Sequence, residues 1–289
     1  MAPKNPFRFG DGLWDPSNRF ETSWLLNPWL LFAFRALISI YAFVTRFFII
    51  GWTCTHSEVG GCEEVRHSFS YFTILTYWGI AFYFAFAAIH TFTYALRGRP
   101  LLDSFPRPLQ ALHALFHSTI ITYPFLVTIV YWVVLYKGEW FTITFSAWSN
   151  VSQHGLNSLF ALFEIFIPRT NPPEWVHIPW LILILALYLA LAYITQATEG
   201  FYVYSFLDHN DVGGRGIVAA YIIGIAVGIV VIFCIVWCII WLRRWVTETK
   251  LGMDGKFAKQ PDNANDIEMS AAANKYAIGS APEAPDRMY

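Results

Sequence analysis

The sequence predicts an all-α membrane protein, a polytopic helical bundle with six transmembrane helices and both termini in the cytosol. The first observation is compositional: 56% of the 289 residues are hydrophobic and 13% are charged, whereas an average soluble domain has about 25% charged residues. The second is a series of long apolar stretches, and the third is an uneven distribution of Lys and Arg. The net charge of −1 gives no indication of nucleic-acid binding.

Six apolar stretches are long enough to cross a hydrocarbon core, which takes about 20 helical residues. They lie near residues 29–52, 70–96, 113–136, 150–168, 178–198 and 216–242. The fourth is short and begins with polar residues, so its hydropathy signal is the weakest of the set.

Three regions follow from these stretches. Residues 29–245 form the predicted six-span transmembrane domain, preceded by a cytosolic N-terminal segment over residues 1–28. Residues 246–289 are rich in Ala, Lys, Asp, Asn and Pro and carry few large apolar side chains. Such a segment cannot bury enough surface to fold alone, so we expect a disordered cytosolic tail there.

The connections between spans differ in their basic residues, which concentrate on the cytosolic side of membrane proteins. Ten Lys and Arg residues lie on the side of the termini, and three lie opposite: Arg66, Lys137 and Arg215. We therefore expect cytosolic termini and an outer loop that contains Cys54 and Cys62. A disulfide between these cysteines and a pair of free thiols both fit an oxidising compartment.

Metal and cofactor chemistry have no support in the sequence. Cys234 and Cys238 lie in the last span among Ile, Val and Trp, where that face offers too few ligands for a metal, so packing is the favoured interpretation. The chain contains no HExxH pattern and no Gly-rich phosphate loop. We expect neither a metal nor a cofactor.

Ionisable side chains within a span are costly and are candidates for function. Arg35 and Arg46 in the first span can snorkel or pair, and His90 is interpreted as a packing group. His154 differs because it lies in the first turns of the inward-running fourth span, near the outer boundary. Thr73 begins the second span, which also runs inward, at a similar depth.

A hydroxyl and an imidazole that meet in a partly dry site can act as a nucleophile and its general base. Thr73 and His154 are such a pair if their helices are neighbours. Depth alone leaves this open, because other hydroxyls lie near the same level: Thr76, Ser149, Ser152 and Ser158.

Three motifs occur in order along the chain: SFSYFT at 68–73, WSNVSQH at 148–154 and GFYVYSFLDH at 200–209. Together they resemble segments of the androgen-induced protein family of six-span membrane threonine hydrolases. The first is similar to the family segment that ends in its nucleophilic threonine. The second resembles Trp-x-Asn-x-x-x-His, which ends in its catalytic histidine, and the third resembles Gly-x-x-x-Tyr-x-Phe-Leu-acid-His.

The match is incomplete at two positions. Ser205 stands where the family often has proline, and Val151 where a second histidine can occur. Glu164 follows the second motif where the family also has a glutamate. These departures concern substrate fit more than the type of reaction.

The resemblance implies that Thr73 attacks an ester and that His154 accepts its proton. It also implies a lipid substrate taken from the bilayer, a fatty acid ester of a hydroxy fatty acid, which yields two fatty acids. Three side-chain amides are candidate donors to the developing oxyanion: Asn150, Gln153 and Asn157.

The acid that would orient His154 is left open. Glu164 lies about 15 Å from His154 along a helix, too far for a direct hydrogen bond, and we expect it to pair with Arg35, Arg46 or His90. Asp208 and His209 lie nearer the outer boundary, where they either support the site or only close a loop.

A non-enzymatic receptor, scaffold or transporter is the alternative. In that case Thr73, His154 and Glu164 would form a polar network that joins helices, and the Rolling-stone-like membrane proteins have a loosely similar layout. No paired Gly or Pro interruptions typical of transporters are evident. The expected location is the endoplasmic reticulum, another endomembrane, or the plasma membrane, with no protein partner indicated.

Overall fold

The computed structural model describes residues 14–253 and residue 255, and this part of the chain is helical without a β-strand. In chain order the helices are α1 (Pro28–Thr55), α2 (Gly61–Ser68), α3 (Phe72–Arg97), α4 (Arg107–Ile120), α5 (Tyr123–Ile129), α6 (Thr144–Val151), α7 (Asn157–Phe166), α8 (His177–Glu199) and α9 (Arg215–Arg244). π-Helical turns extend three of them: Val130–Leu135, Ser152–Leu156 and Trp245–Lys250.

Five helical runs are long and apolar enough to cross a membrane: α1, α3, Arg107–Leu135, α8 and Arg215–Lys250. The predicted all-helical, multi-pass membrane fold is confirmed to this extent. The predicted fourth span corresponds to residues 144–166, a helical run of α6, a π-helical turn and α7. Its polar first half lowers its hydropathy, so it is not one of the five.

The first helix separates its apolar and polar side chains onto two faces. Asn27 caps α1 by accepting the Leu30 N–H at 3.0 Å, and Pro28 fits the first turn because its missing N–H has no partner there. The face of α1 turned outward carries large apolar side chains such as Leu37, 62% exposed. The buried face carries Arg35, Ser39, Thr45 and Arg46. Polar groups therefore point into the bundle.

Cys54 and Cys62 form a disulfide that connects the last turn of α1 to α2. The intervening turn requires Gly60, whose φ of 100° is unfavourable for other residues. Of the two states compatible with the sequence, the structure has the disulfide. We call this end of the bundle the disulfide end. Cys234 is half-buried and Cys238 is exposed on α9, so only the first contributes to packing.

A bend separates α4 from α5 and redirects the third helical run. Pro124 lacks the N–H that a continuous helix would need, so the run breaks at Thr122, which has φ −126° and ψ −53°. The Pro124 carbonyl accepts hydrogen bonds from the Asn157 and Ser158 side chains. These bonds hold α5 against α7.

The opposite end of the bundle differs from the expected boundaries. Residues 246–250 were expected to belong to a disordered tail, but they continue the last helix as a π-helical turn. Glu248 there is ion-paired with Arg19, and the salt bridge holds the turn against the N-terminal segment. Ser23 bonds the Ile167 carbonyl at 2.6 Å. The remaining tail, residues 254 and 256–289, and residues 1–13 lie outside the described part.

Candidate functional site

A cavity of about 380 Å³ lies at the disulfide end, between α1, α2, α3, the two π-helical turns that follow α5 and α6, and the loop that follows α8. We call it the polar cavity. Four residues that the sequence analysis gave a role in the site line it: Thr73, Asn150, Gln153 and His154. Thr73 and His154, for which the sequence predicts a similar depth, thus line the same cavity.

His154 occupies the π-helical turn Ser152–Leu156, a local widening of the helix that is frequent at functional sites. Its Nδ1 lies 3.1 Å from the backbone oxygen of Asn150. A carbonyl can only accept, so this contact selects the tautomer in which Nδ1–H donates and Nε2 keeps a lone pair. Tyr131 stacks on the ring with a centroid distance of 3.5 Å. The imidazole is thus oriented without an acid.

Thr73 lies in the first turn of α3, beside the phenol of Tyr204. The Tyr204 hydroxyl accepts the Phe72 N–H at 3.1 Å, which ties the loop after α8 to the start of α3. Both residues are described, and no hydrogen bond joins the Thr73 hydroxyl to the His154 ring. The structure therefore brings the two side chains to one cavity without direct contact.

Tyr204 belongs to the loop between α8 and α9, outside the helices. Burial raises the pKa of its phenol above the ordinary value, and the Phe72 N–H with the nearby hydroxyls of Thr73 and Tyr188 offsets only part of this effect. The phenol therefore stays protonated at neutral pH. It is available as a donor next to Thr73.

A second cavity of about 210 Å³ adjoins the first and has apolar walls from α5, α8 and α9. We call it the apolar cavity. Four residues line both cavities: Thr73, Tyr131, Leu135 and Tyr204. Thr73 thus lies at the boundary between the polar and the apolar cavity.

Glu164 lines neither cavity. Its two carboxylate oxygens accept the Nε–H and Nη2–H of Arg35, each at 2.8 Å, and Tyr83 donates to it at 3.2 Å. Of the three partners that the sequence analysis considered for Glu164, namely Arg35, Arg46 and His90, the structure shows Arg35. Because both ions are almost fully buried, each neutralises the other inside the bundle.

Three other expected supporting residues also lie away from both cavities. Asn157 accepts from Thr128 at 3.0 Å and donates to the Pro124 carbonyl at 3.3 Å, so its amide joins α7 to α5 instead of facing an ester. Asp208 accepts the Asn210 N–H at 2.9 Å and closes its own loop. His209 is half-buried nearby. The carbonyl of Asn150, not Asp208 or His209, orients His154.

The two amides that do line the polar cavity are already engaged. Asn150 donates to the Ser146 carbonyl at 2.8 Å and accepts from Tyr131 at 2.6 Å. Gln153 donates to Ser149 at 3.1 Å and accepts from Arg46 at 2.6 Å. Each amide retains one N–H. The readier donors at Thr73 and in the cavity are Tyr204 and Arg46.

Sequence reasoning missed Tyr131, Tyr204 and the cavity position of Arg46. Tyr204 is the tyrosine of the third motif, so the motif itself carried a usable signal. Tyr131 falls in an apolar run that nothing distinguishes from core. Within the described part of the chain, no group of three or more His, Cys, Asp or Glu is placed to hold a metal ion.

No protein-family model, curated protein or solved structure matches this chain. The fold and site together define a multi-pass helical membrane protein in which a polar and an apolar cavity share four lining residues. What the cavity does must be argued from its residues.

Proposed function

We propose that the chain is an integral-membrane lipid ester hydrolase with Thr73 as nucleophile and His154 as general base. The supporting observation is the convergence of Thr73, His154 and Tyr204 on one cavity. These residues come from three separate motifs, each of which resembles a segment of the androgen-induced protein family. A base with a free Nε2 and a hydroxyl that line one cavity are the two groups needed to activate an alcohol for attack.

The reaction runs in two steps. Thr73 Oγ1 attacks the ester carbonyl carbon while His154 Nε2 accepts the hydroxyl proton. The developing oxyanion accepts a hydrogen bond from the Tyr204 hydroxyl. The alkoxide then leaves with the proton from His154, and the acyl group remains on Thr73. Water, deprotonated by His154, releases the acid. Hydrogen bonds of this kind are often loose without substrate, so the open Thr73–His154 geometry is that of a resting site.

The cavities suggest the substrate class. The carbons of one chain nearest the ester would occupy the apolar cavity, and the more polar part of the lipid would occupy the polar cavity, with the ester at Thr73 between them. A fatty acid ester of a hydroxy fatty acid has this division and partitions into the bilayer. Hydrolysis would release two fatty acids, with no cofactor required.

The direct test is hydrolysis by purified protein in lipid vesicles. The wild-type protein is expected to release the two acids in equal amounts, and Thr73→Ala is expected to release neither above the protein-free rate. A folded wild-type protein without activity on a series of fatty esters would favour the non-enzymatic receptor, scaffold or transporter. That alternative is supported by the engaged amides of Asn150, Gln153 and Asn157, which already join helices.

The topology belongs to the same proposal. Residues 144–166 would be about 35 Å long as a helix, enough for a core of about 30 Å, and would complete six spans. The excess of basic residues at the end opposite the disulfide supports a cytosolic location for both termini. An endomembrane, such as the endoplasmic reticulum, or the plasma membrane is then the location.

Protease protection in sealed microsomes tests this topology. A C-terminal epitope tag is expected to be digested from the cytosolic side. A matched tag inserted after Gly138, in the exposed loop before α6, is expected to be protected. The reverse pattern would place the polar cavity on the cytosolic side, and digestion of both tags would argue against an even number of spans.

A further inference from the structure

Arg46 is a buried cation at the wall of the polar cavity. Its residue surface is 1% exposed, and its Nη1–H donates to Gln153 Oε1 at 2.6 Å. Its Nε and Nη2 are buried and have no hydrogen-bond partner among the described residues. Two of its three donor nitrogens therefore make no hydrogen bond, although the side chain lines the polar cavity.

Arg35, on the same helix, is a buried arginine whose charge is balanced by a carboxylate. Its Nε and Nη2 together hold the two oxygens of Glu164, at 2.8 Å each. The same edge of Arg46 has no carboxylate, because no Asp or Glu in the described part of the chain forms an ion pair with it. Glu64 also lines the cavity, but it is exposed on α2.

The missing counter-charge is energetically important. Removing an ion from water carries a large free-energy cost even after the protein relaxes. The guanidinium lies 5.9 Å from the centroid of the Trp78 ring, and such a cation–π contact returns only a small part of that cost. An anion bound in the cavity would supply the rest.

We propose that Arg46 is an anion-binding subsite of the polar cavity that holds the carboxylate of an acidic lipid. A carboxylate is preferred to a phosphate monoester because one guanidinium balances one negative charge, whereas the phosphate carries about −1.5 to −2. The planar Nε and Nη2 edge also matches two carboxylate oxygens. That this carboxylate positions an ester at Thr73 rests on the proposed hydrolase function; the binding itself does not.

The test uses ligand-induced thermal stabilisation of the full-length protein in detergent micelles. The probes are a long-chain fatty acid, its methyl ester and the monoalkyl phosphate of the same chain length. Because stabilisation follows the affinity for the folded state, the acid is expected to raise the wild-type midpoint clearly more than the ester. Arg46→Gln should weaken acid binding at least tenfold and leave ester binding unchanged, whereas Arg46→Lys should retain part of the preference.

The matched control is Arg66→Gln, because Arg66 is an exposed arginine of α2 that pairs with Glu199; it should keep the full preference for the acid. Without ligand, Arg46→Gln should melt no lower than wild type, since it removes an unpaired charge. Equal wild-type binding of acid and ester, or an unchanged preference in Arg46→Gln, overturns the subsite. Tighter wild-type binding of the phosphate overturns the carboxylate assignment.

Different results would contradict the Arg46 subsite and the hydrolase function. Retained acid binding by Thr73→Ala supports a subsite that does not depend on the nucleophile. A wild-type protein that prefers the acid but hydrolyses no ester supports the subsite and contradicts the hydrolase.

Discussion

Alanine at Thr73 or at His154 should each abolish hydrolysis of the lipid ester, and the double variant should be little worse than either single variant. A nucleophile and its base act as one unit, so their losses do not add. Removal of a general base alone costs about 10²–10⁴-fold, and removal of the attacking oxygen should cost at least as much. The measurement is the initial rate of acid release by the three purified variants in vesicles.

Two controls separate chemistry from folding. Thr73→Ser should keep measurable activity, because a primary hydroxyl takes the same position. Thr76 lies about one turn further along α3, where its hydroxyl donates to the Thr73 carbonyl at 2.9 Å, and it does not line the polar cavity. The Thr76→Ala variant should therefore hydrolyse the ester at close to the wild-type rate. Independent, additive losses at Thr73 and His154 would mean that the two residues do not act together.

Replacing Glu164 with Leu should destabilise the protein strongly, by about 3–5 kcal/mol, because it leaves the Arg35 charge buried and unpaired. The effect should appear as a large fall of the thermal midpoint in detergent. Glu164→Gln should be milder, since an amide still accepts from Arg35. It should also keep measurable hydrolysis, because Glu164 lines neither cavity.

The same pair supplies its own controls. The double variant Arg35→Met/Glu164→Leu should recover much of the midpoint lost by Glu164→Leu, because no uncompensated charge remains. Glu63→Leu, at a carboxylate 74% exposed on α2, should change stability by no more than about 0.5 kcal/mol. A folded Glu164→Gln protein without activity would move Glu164 into the catalytic set.

The helical fold was predictable because crossing a membrane leaves a strong hydropathy signal. The end of the last helical run at Lys250 was not predictable from the sequence. The turn beyond residue 245 is stabilised by the ion pair of Glu248 with Arg19, a residue far away in sequence. The bend at Pro124 follows from proline chemistry, but its bonding to α7 depends on the tertiary structure.

The candidate site was predictable in part for a similar reason. The direction of each span and the position of a residue within it give that residue's depth in the membrane. This reasoning assigned Thr73 and His154 to a similar depth. Depth says nothing about which face a helix presents, so Asn157 was grouped with Asn150 although it turns toward the Pro124 carbonyl. The sequence also could not show that Glu164 pairs with Arg35 and not with Arg46, because the choice of partner depends on how α1 and α7 pack.

The most direct measurement is labelling of the purified protein with a fluorophosphonate, followed by mass spectrometry of the labelled peptide. A nucleophilic hydroxyl activated by His154 should carry the phosphonyl group, so the account predicts modification at Thr73 in the wild-type protein and in Thr76→Ala. Labelling should be absent from Thr73→Ala and strongly reduced in His154→Ala. Modification of another hydroxyl, or undiminished labelling of Thr73→Ala, would contradict the assignment of Thr73 as the nucleophile.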